Sequence, residues 1–316
     1  MNVVWLLILG FILVGYFVLE GFVLGAGVLL GRYGTREDND VSVAAFAPFV
    51  LANEVWLVAV AGVLMGAFPV VEGEIISGLY PFVVAGLIGW VVRDAGLWFR
   101  LRDSSPAWRR LWARAITAGS GLLIVAWGFA LGNLLLGMPT FPLSAGALFD
   151  PYAVIWGVTL PALIVVHGAV FLTRRLPERL SVEVRRLGVR AVGIALVLVG
   201  AATAIGVVAG YASRGWAGVL GMFPLFGAVA AMWLIRQRPF DGSTGLFVLS
   251  AAAVCAPVLA VGLGTAPELV SHAAGGRTLT VLALYGIAAL VFVVAVQVWA
   301  WRKFDRRVKE GSVSFF

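Results

Sequence analysis

Nine times along this chain an apolar run of helix-spanning length returns, and the charges gather between the runs. The hydrocarbon layer of a bilayer is roughly 30 Å thick, which takes about 20 helical residues to cross. A helix is the form such a run adopts there, because it pairs its own backbone donors and acceptors where no water can. The runs lie at Val3–Leu30, Ala44–Phe68, Ile76–Phe99, Leu111–Leu136, Ala147–Leu172, Leu187–Tyr211, Trp216–Ile235, Gly245–Leu263 and Thr278–Trp301. With 61% hydrophobic and 12% charged residues, a soluble domain could not hide so much apolar surface. The expected fold is therefore all-α, a polytopic membrane protein of about nine transmembrane helices in two bundles. Residues 1–140 would form a first four-helix unit, and 141–316 a second unit with a basic tail, within one integral membrane domain. The first run is about twice the length of a signal-peptide core and lacks a basic lead, so it is expected to stay as a helix.

The basic residues set an orientation. Arg32 and Arg36 follow the first run, and Arg93, Arg100, Arg102, Arg109, Arg110 and Arg114 lie in or beside the third loop. Six more, from Arg174 to Arg190, flank the fifth loop; Arg236 and Arg238 follow the seventh run, and Arg302, Lys303, Arg306, Arg307 and Lys309 the ninth. Only Arg214 and Arg277 of the 23 fall on the other side. The positive-inside rule then puts the N-terminus outside and the C-terminus in the cytoplasm. The net charge of +7 is accounted for by topology, with no nucleic-acid partner expected. No inverted repeat, Walker A loop or dinucleotide fingerprint is evident. The 39 glycines read chiefly as sites of close helix packing.

Against this background the acids inside the runs stand out. Asn53 and Glu54 sit in the second run, where a charge costs roughly 2.5–3.5 kcal/mol on insertion scales. Such a pair faces a protein interior or a wet cavity, with Glu54 expected to be neutral and hydrogen-bonded. Glu20 lies in GYFVLEGFVLGAG, flanked by Gly21, Gly25 and Gly27, which let another backbone approach. Two readings are open for it: part of a proton path or polar interface, or an acid near the midplane held by a local hydrogen bond. Arg93 and Asp94 read as a structural polar cluster or as side chains snorkelling to water. Asn133 reads as a cap or a bond across the bundle.

Histidines are scarce. His167 lies in an apolar run, where haem ligation, a proton relay and an interior hydrogen-bonded group are all open to it; His272 reads as a solvated loop residue. Two such separated histidines cannot supply several haem ligands, so any haem would sit on another chain. The single Cys255 excludes a disulfide within the chain and a multi-thiolate metal site. Trp5, Trp98, Trp108, Trp112, Trp216 and Trp301, near run ends, read as interfacial anchors.

Several of these motifs fall into one register. Glu20-Gly21-Phe22, Asn53-Glu54-Val55-Trp56-Leu57, Ala67-Phe68-Pro69 and Ser77-Gly78-Leu79-Tyr80 come first. Arg93, Arg100, Trp108-Arg109, Trp112, Gly132-Asn133 with Gly137 and Pro139, and the ending Trp301-Arg302-Lys303-Phe304 follow. In order and spacing this resembles subunit II of the cytochrome bd-type quinol oxidases, over about 130 residues and again in the tail. The resemblance implies a non-haem subunit in the bacterial cytoplasmic membrane, paired with a subunit I that carries two b-type haems, one d-type haem and the quinol site. Accessory single-helix subunits, lipid and quinone are further partners it implies. Glu20, Asn53, Glu54, Arg93, Asp94 and His167 are then the candidates for a proton path or polar interface, and Trp56, Arg100 and Asn133 for structural roles.

The departures are specific. Val23, Leu51 and Trp98 stand where the family usually has acids. A water chain needs polar groups along it, so the expectation is a scaffolding subunit, with protons arriving through subunit I or by a rerouted path through Glu20 and Glu54. The alternatives are a stabilising paralogue in a complex without oxygen reduction, and a self-contained proton-coupled permease using Glu20, Glu54 and Asp94.

Overall fold

A computed structural model describes residues 1–137, 145–210, 215–309 and 312. Among these the chain is all-helical, with nine helical stretches long and apolar enough to cross a membrane. Pro139, Tyr211 and Arg214 lie outside the described residues.

The elements are α1 (Asn2–Leu29), α2 (Arg36–Phe46), a 3-10 turn (Ala47–Phe49), α3 (Val50–Ala67), α4 (Pro69–Gly78) and α5 (Tyr80–Phe99). They continue with α6 (Pro106–Leu136), α7 (Ala145–Leu148), α8 (Pro151–Arg175), α9 (Glu178–Val208), α10 (Gly215–Arg236), α11 (Thr244–Ser271) and α12 (Gly276–Phe304).

Three runs that read as continuous are broken, the fifth run where α7 ends at Leu148 and α8 begins at Pro151. The second crossing begins at Glu37 and passes through the 3-10 turn at Ala47–Phe49. Pro48 sits there without an N–H to give, which removes one bond of the α-helical ladder at the break. The third run starts inside α4, and the chain turns at Leu79 before Pro81 opens α5. Elsewhere the helices outrun their apolar stretches. α9 starts at Glu178, nine residues before Leu187, and α11 continues to Ser271 through Pro257 and Pro267. Hydropathy finds the membrane-embedded part of a helix; caps and local turns decide its ends.

α1 is the central element, packed on α3, α6, α8 and α11. Its closest approach is to α8, where a Cβ on Gly25 would collide with the Ile164 carbonyl and one on Gly168 with the Gly25 backbone. Small residues on facing helices are what allow such contact in a membrane. α5 packs on α6, and α8 to α11 form a second set, with α9 on α8, α10 on α9 and α11, and α11 on α8. α12 returns to the first set and packs on α3.

Two tryptophans depart from the anchor reading. Trp5 is buried, with its indole N–H donating to the Leu279 carbonyl at 3.3 Å. Trp301 turns inward onto Phe22 and Phe49, with ring centroids 5.6 and 5.1 Å away. Trp98 and Trp216 are exposed, as anchors would be. The basic tail is fastened by Arg175, which is buried and donates to the carbonyls of Phe304 and Arg306.

Candidate functional site

The intramembrane charges meet at one guanidinium. Arg93, six residues before the end of α5, is 1% exposed and donates to Glu20 of α1 and to Glu54 of α3. Its Nε lies 2.7 Å from Asp94 Oδ1, an ion pair without hydrogen-bond geometry. A snorkelling Arg93 is thus excluded, and Arg93 leaves the tally of loop charges. Glu20 lies nine residues from the C-terminal end of α1, about 13 Å along the helix by its rise.

Three carboxyl groups around one guanidinium carry an acid excess. One cation balances one carboxylate, and two further negative charges in a dry interior would be costly unless protonated or paired. Glu20 Oε2 is buried and has no hydrogen-bond partner among the described residues. The cluster is therefore a place where protons can reside. The neutral, hydrogen-bonded Glu54 expected from sequence turns out to have a cation as its partner.

Beside it runs a second polar chain. Asn53 donates to the Leu19 carbonyl at 2.7 Å and accepts from Gln297 of α12 at 3.1 Å. Gln297 Oε1 in turn accepts from the Trp56 indole at 3.3 Å. This chain bolts α1, α3 and α12 together one residue from both Glu20 and Glu54. Gln297 escaped the sequence reading. Its signal was present: it is the one polar residue in the apolar stretch from Ala288 to Trp301.

The cluster has an open side. Glu20 and Arg93 are buried, but Glu54 keeps 13% and Asp94 25% of its side-chain surface exposed. Their exposed neighbours on the same helices are apolar: Leu51, Val55 and Val58 on α3, and Leu87, Val91 and Trp98 on α5. A groove of about 380 Å³ between α3, α4, α5 and α6 shares Val58 and Leu87 with this apolar surface. Two carboxyl groups thus open onto a surface that is otherwise suited to lipid or to another protein.

The remaining candidates resolve separately. Arg100, at the end of α5, is buried and binds Asp40, which Arg109 also reaches at 2.8 Å. Burial pushes the Arg100 guanidinium below its ordinary pKa, while Asp40 pulls it back. Asp40 was not singled out from sequence, because an acid just before an apolar run reads as a helix-start residue. Asn133 donates to the carbonyls of Phe129 and Leu148, a bond across to α7. His167 is buried away from the Arg93 cluster. Its Nε2 donates to the Val18 carbonyl at 2.9 Å and its Nδ1 pairs with the Ser250 hydroxyl at 2.8 Å. With both ring nitrogens engaged it offers no free lone pair to a haem iron. Among the described residues no group of three His, Cys, Asp or Glu side chains gathers to hold a metal ion.

The model of one protein family, described as cytochrome bd terminal oxidase subunit II, matches residues 1–304. The chain belongs to that family. Among its relatives is the probable cytochrome oxidase subunit 2 of Haemophilus influenzae, 30% identical over 210 residues, covering 62% of this chain and 56% of that one. The cytochrome bd-I ubiquinol oxidase subunit 2 of Escherichia coli K12 is 30% identical over 193 residues, 58% of this chain and 51% of that one. The chain thus spans about half the length of these two relatives. The cytochrome bd ubiquinol oxidase subunit 2 of Bacillus subtilis is 26% identical and matches along 96% of both chains. In fold, the chain is similar to the bd oxidase from Geobacillus thermodenitrificans, with a TM-score of 0.57, 10% identity, and 96% and 98% of the two chains covered. Subunit II membership and nine apolar helices make this a multi-pass protein of the bacterial cytoplasmic membrane.

The three positions where the resemblance leads one to expect acids fall in two places. Val23 is fully buried in the core, whereas Leu51 and Trp98 are about half exposed, at 52% and 47%, on the open side of the Arg93 cluster.

Proposed function

We propose that this chain is the haem-free subunit II of a quinol:dioxygen oxidoreductase, with the α3–α5 face docked on a haem-bearing subunit I. The observation that carries this reading is the exposure of Glu54 and Asp94 on an apolar face. Lipid tails cannot solvate carboxyl groups, and intramembrane acids face protein or water. A partner helix covering Leu51, Val55, Val58 and Val91 would close the site and remove that conflict. The basic loops would then lie in the cytoplasm with the C-terminus, and the N-terminus outside.

Within that assembly the chain has two roles. It scaffolds subunit I, which holds the haems and the quinol site. It also supplies a modified proton site in which Glu20 and Glu54, bridged by Arg93, hold protons at the subunit boundary. With Leu51 and Trp98 apolar, Glu20 and Glu54, with Asp94 beside them, are the acids on hand for such a route.

The test uses the tagged chain with whatever partner it brings from the membrane, in mild detergent. Haem b and d bands with quinol-driven oxygen uptake are expected. In the Glu20→Gln/Glu54→Gln variant, uptake should fall by about a hundredfold, the low end for a positioned proton carrier, with the haem bands retained. Full turnover by that variant would sink the proton role. Haem bands without uptake, in the unaltered complex, would favour the paralogue that does not reduce oxygen. A colourless protein without a partner would overturn the oxidase assignment and move the permease forward.

A further inference from the structure

At the basic end of the first helix set lies a cavity of about 650 Å³, within the size range of small-molecule sites. Five arginines line it: Arg32, Arg100, Arg109, Arg110 and Arg114, with Asp40 as the one acid on its wall. Asp40 is already committed, since one oxygen serves Arg100 and the other Arg109. Arg100 is 1% exposed, yet among the described residues its Nε and Nη2 have no hydrogen-bond partner, and nor has the buried Nε of Arg109. Buried guanidinium N–H groups of this kind need an acceptor, and a phosphate offers several oxygens in the fork geometry that arginine matches.

A second observation says what the phosphate is attached to. Arg110 and Arg114 sit on the exposed face of α6, and that face continues through Ala118, Leu122 and Val125. These positions recur at three- and four-residue spacing, so they form one stripe running from the cavity along the membrane-facing surface. An acyl chain can lie on that stripe while its headgroup occupies the cavity. Five cations against one carboxylate favour a headgroup with net negative charge over a zwitterionic one. We infer that this cavity binds the phosphate of an anionic phospholipid at the edge of the bilayer, as basic pockets between transmembrane helices do.

The experiment is native mass spectrometry of the full chain, with any partner it carries, after exchange into detergent containing phosphatidylglycerol or phosphatidylcholine. The unaltered protein should keep a phosphatidylglycerol that survives activation. The Arg110→Gln/Arg114→Gln variant, which spares the Asp40 pairs, should bind it roughly thirtyfold more weakly. An Arg102→Gln/Arg186→Gln control, altered outside the cavity, should bind as the unaltered protein does. If the double variant does not accumulate, Arg114→Gln alone carries the same comparison with a smaller loss. Equal lipid retention in all proteins, or equal retention of phosphatidylcholine, overturns the inference. Inorganic phosphate provides the separate arm: its binding to the unaltered protein, with lipid retention indifferent to the substitutions, would assign the cavity to a soluble anion and overturn the lipid.

Discussion

Arg93 and Arg100 lie seven residues apart on one helix, two turns or about 10 Å, and both are buried. Their surroundings are opposite in sign. Arg93 is one cation among Glu20, Glu54 and Asp94. Arg100 shares the single carboxylate of Asp40 with Arg109, and Arg110 and Arg114 stand nearby. The inner site holds more acid than it can neutralise, the outer site more base. The first is suited to storing protons and the second to holding an anion, and in both the function follows from the excess rather than from the pair.

The comparison breaks most directly at Arg93. Arg93→Met leaves the buried Glu20 and the partly buried Glu54 and Asp94 without their cation, and removing one partner of a buried ion pair costs about 3–5 kcal/mol. Thermal unfolding in detergent should show a large loss, together with loss of the co-purifying partner. A variant as stable as the original would mean that the acids are held apart by other groups. The polar chain beside the site should respond less. Gln297→Leu strands the Asn53 oxygen and the Trp56 indole N–H, each a buried group whose partner is lost, for about 1–3 kcal/mol in unfolding. Oxygen uptake should survive that change if the chain only bolts helices together. The smallest effect belongs to the outer site. Arg109 is 34% exposed and Asp40 keeps Arg100, so Arg109→Ala should cost less than about 1 kcal/mol, and less again at high salt. A loss as large as that at Arg93 would erase the contrast between the two sites.

The candidates that could be picked out from sequence were those in the wrong solvent. Glu20, Glu54 and Asn53 were conspicuous because an apolar run penalises them, and they meet in the structure. Arg93, which joins Glu20 and Glu54, read from sequence as part of a polar cluster or as a snorkelling side chain, and only its position against α1 and α3 makes it the hub. Asp40 and Gln297 were missed for related reasons. One looks like an ordinary helix-start acid, and the other is uncharged and easily passed over in a long apolar stretch.

The sequence by itself determined the class of the molecule: nine apolar runs of helix-spanning length, each able to pair its own backbone groups where a bilayer supplies no water, and a family membership carried by motifs in register. It could not determine which of the intramembrane polar groups face one another. Helical period places a residue on a face, but which faces meet depends on the crossings of α1 with α3 and α8, set by small residues such as Gly25 and Gly168. That pairing brought three acids to one arginine from three helices and left two of them at an open surface. It also set five arginines around one aspartate, because sequence distance says little about separation once helices pack side by side.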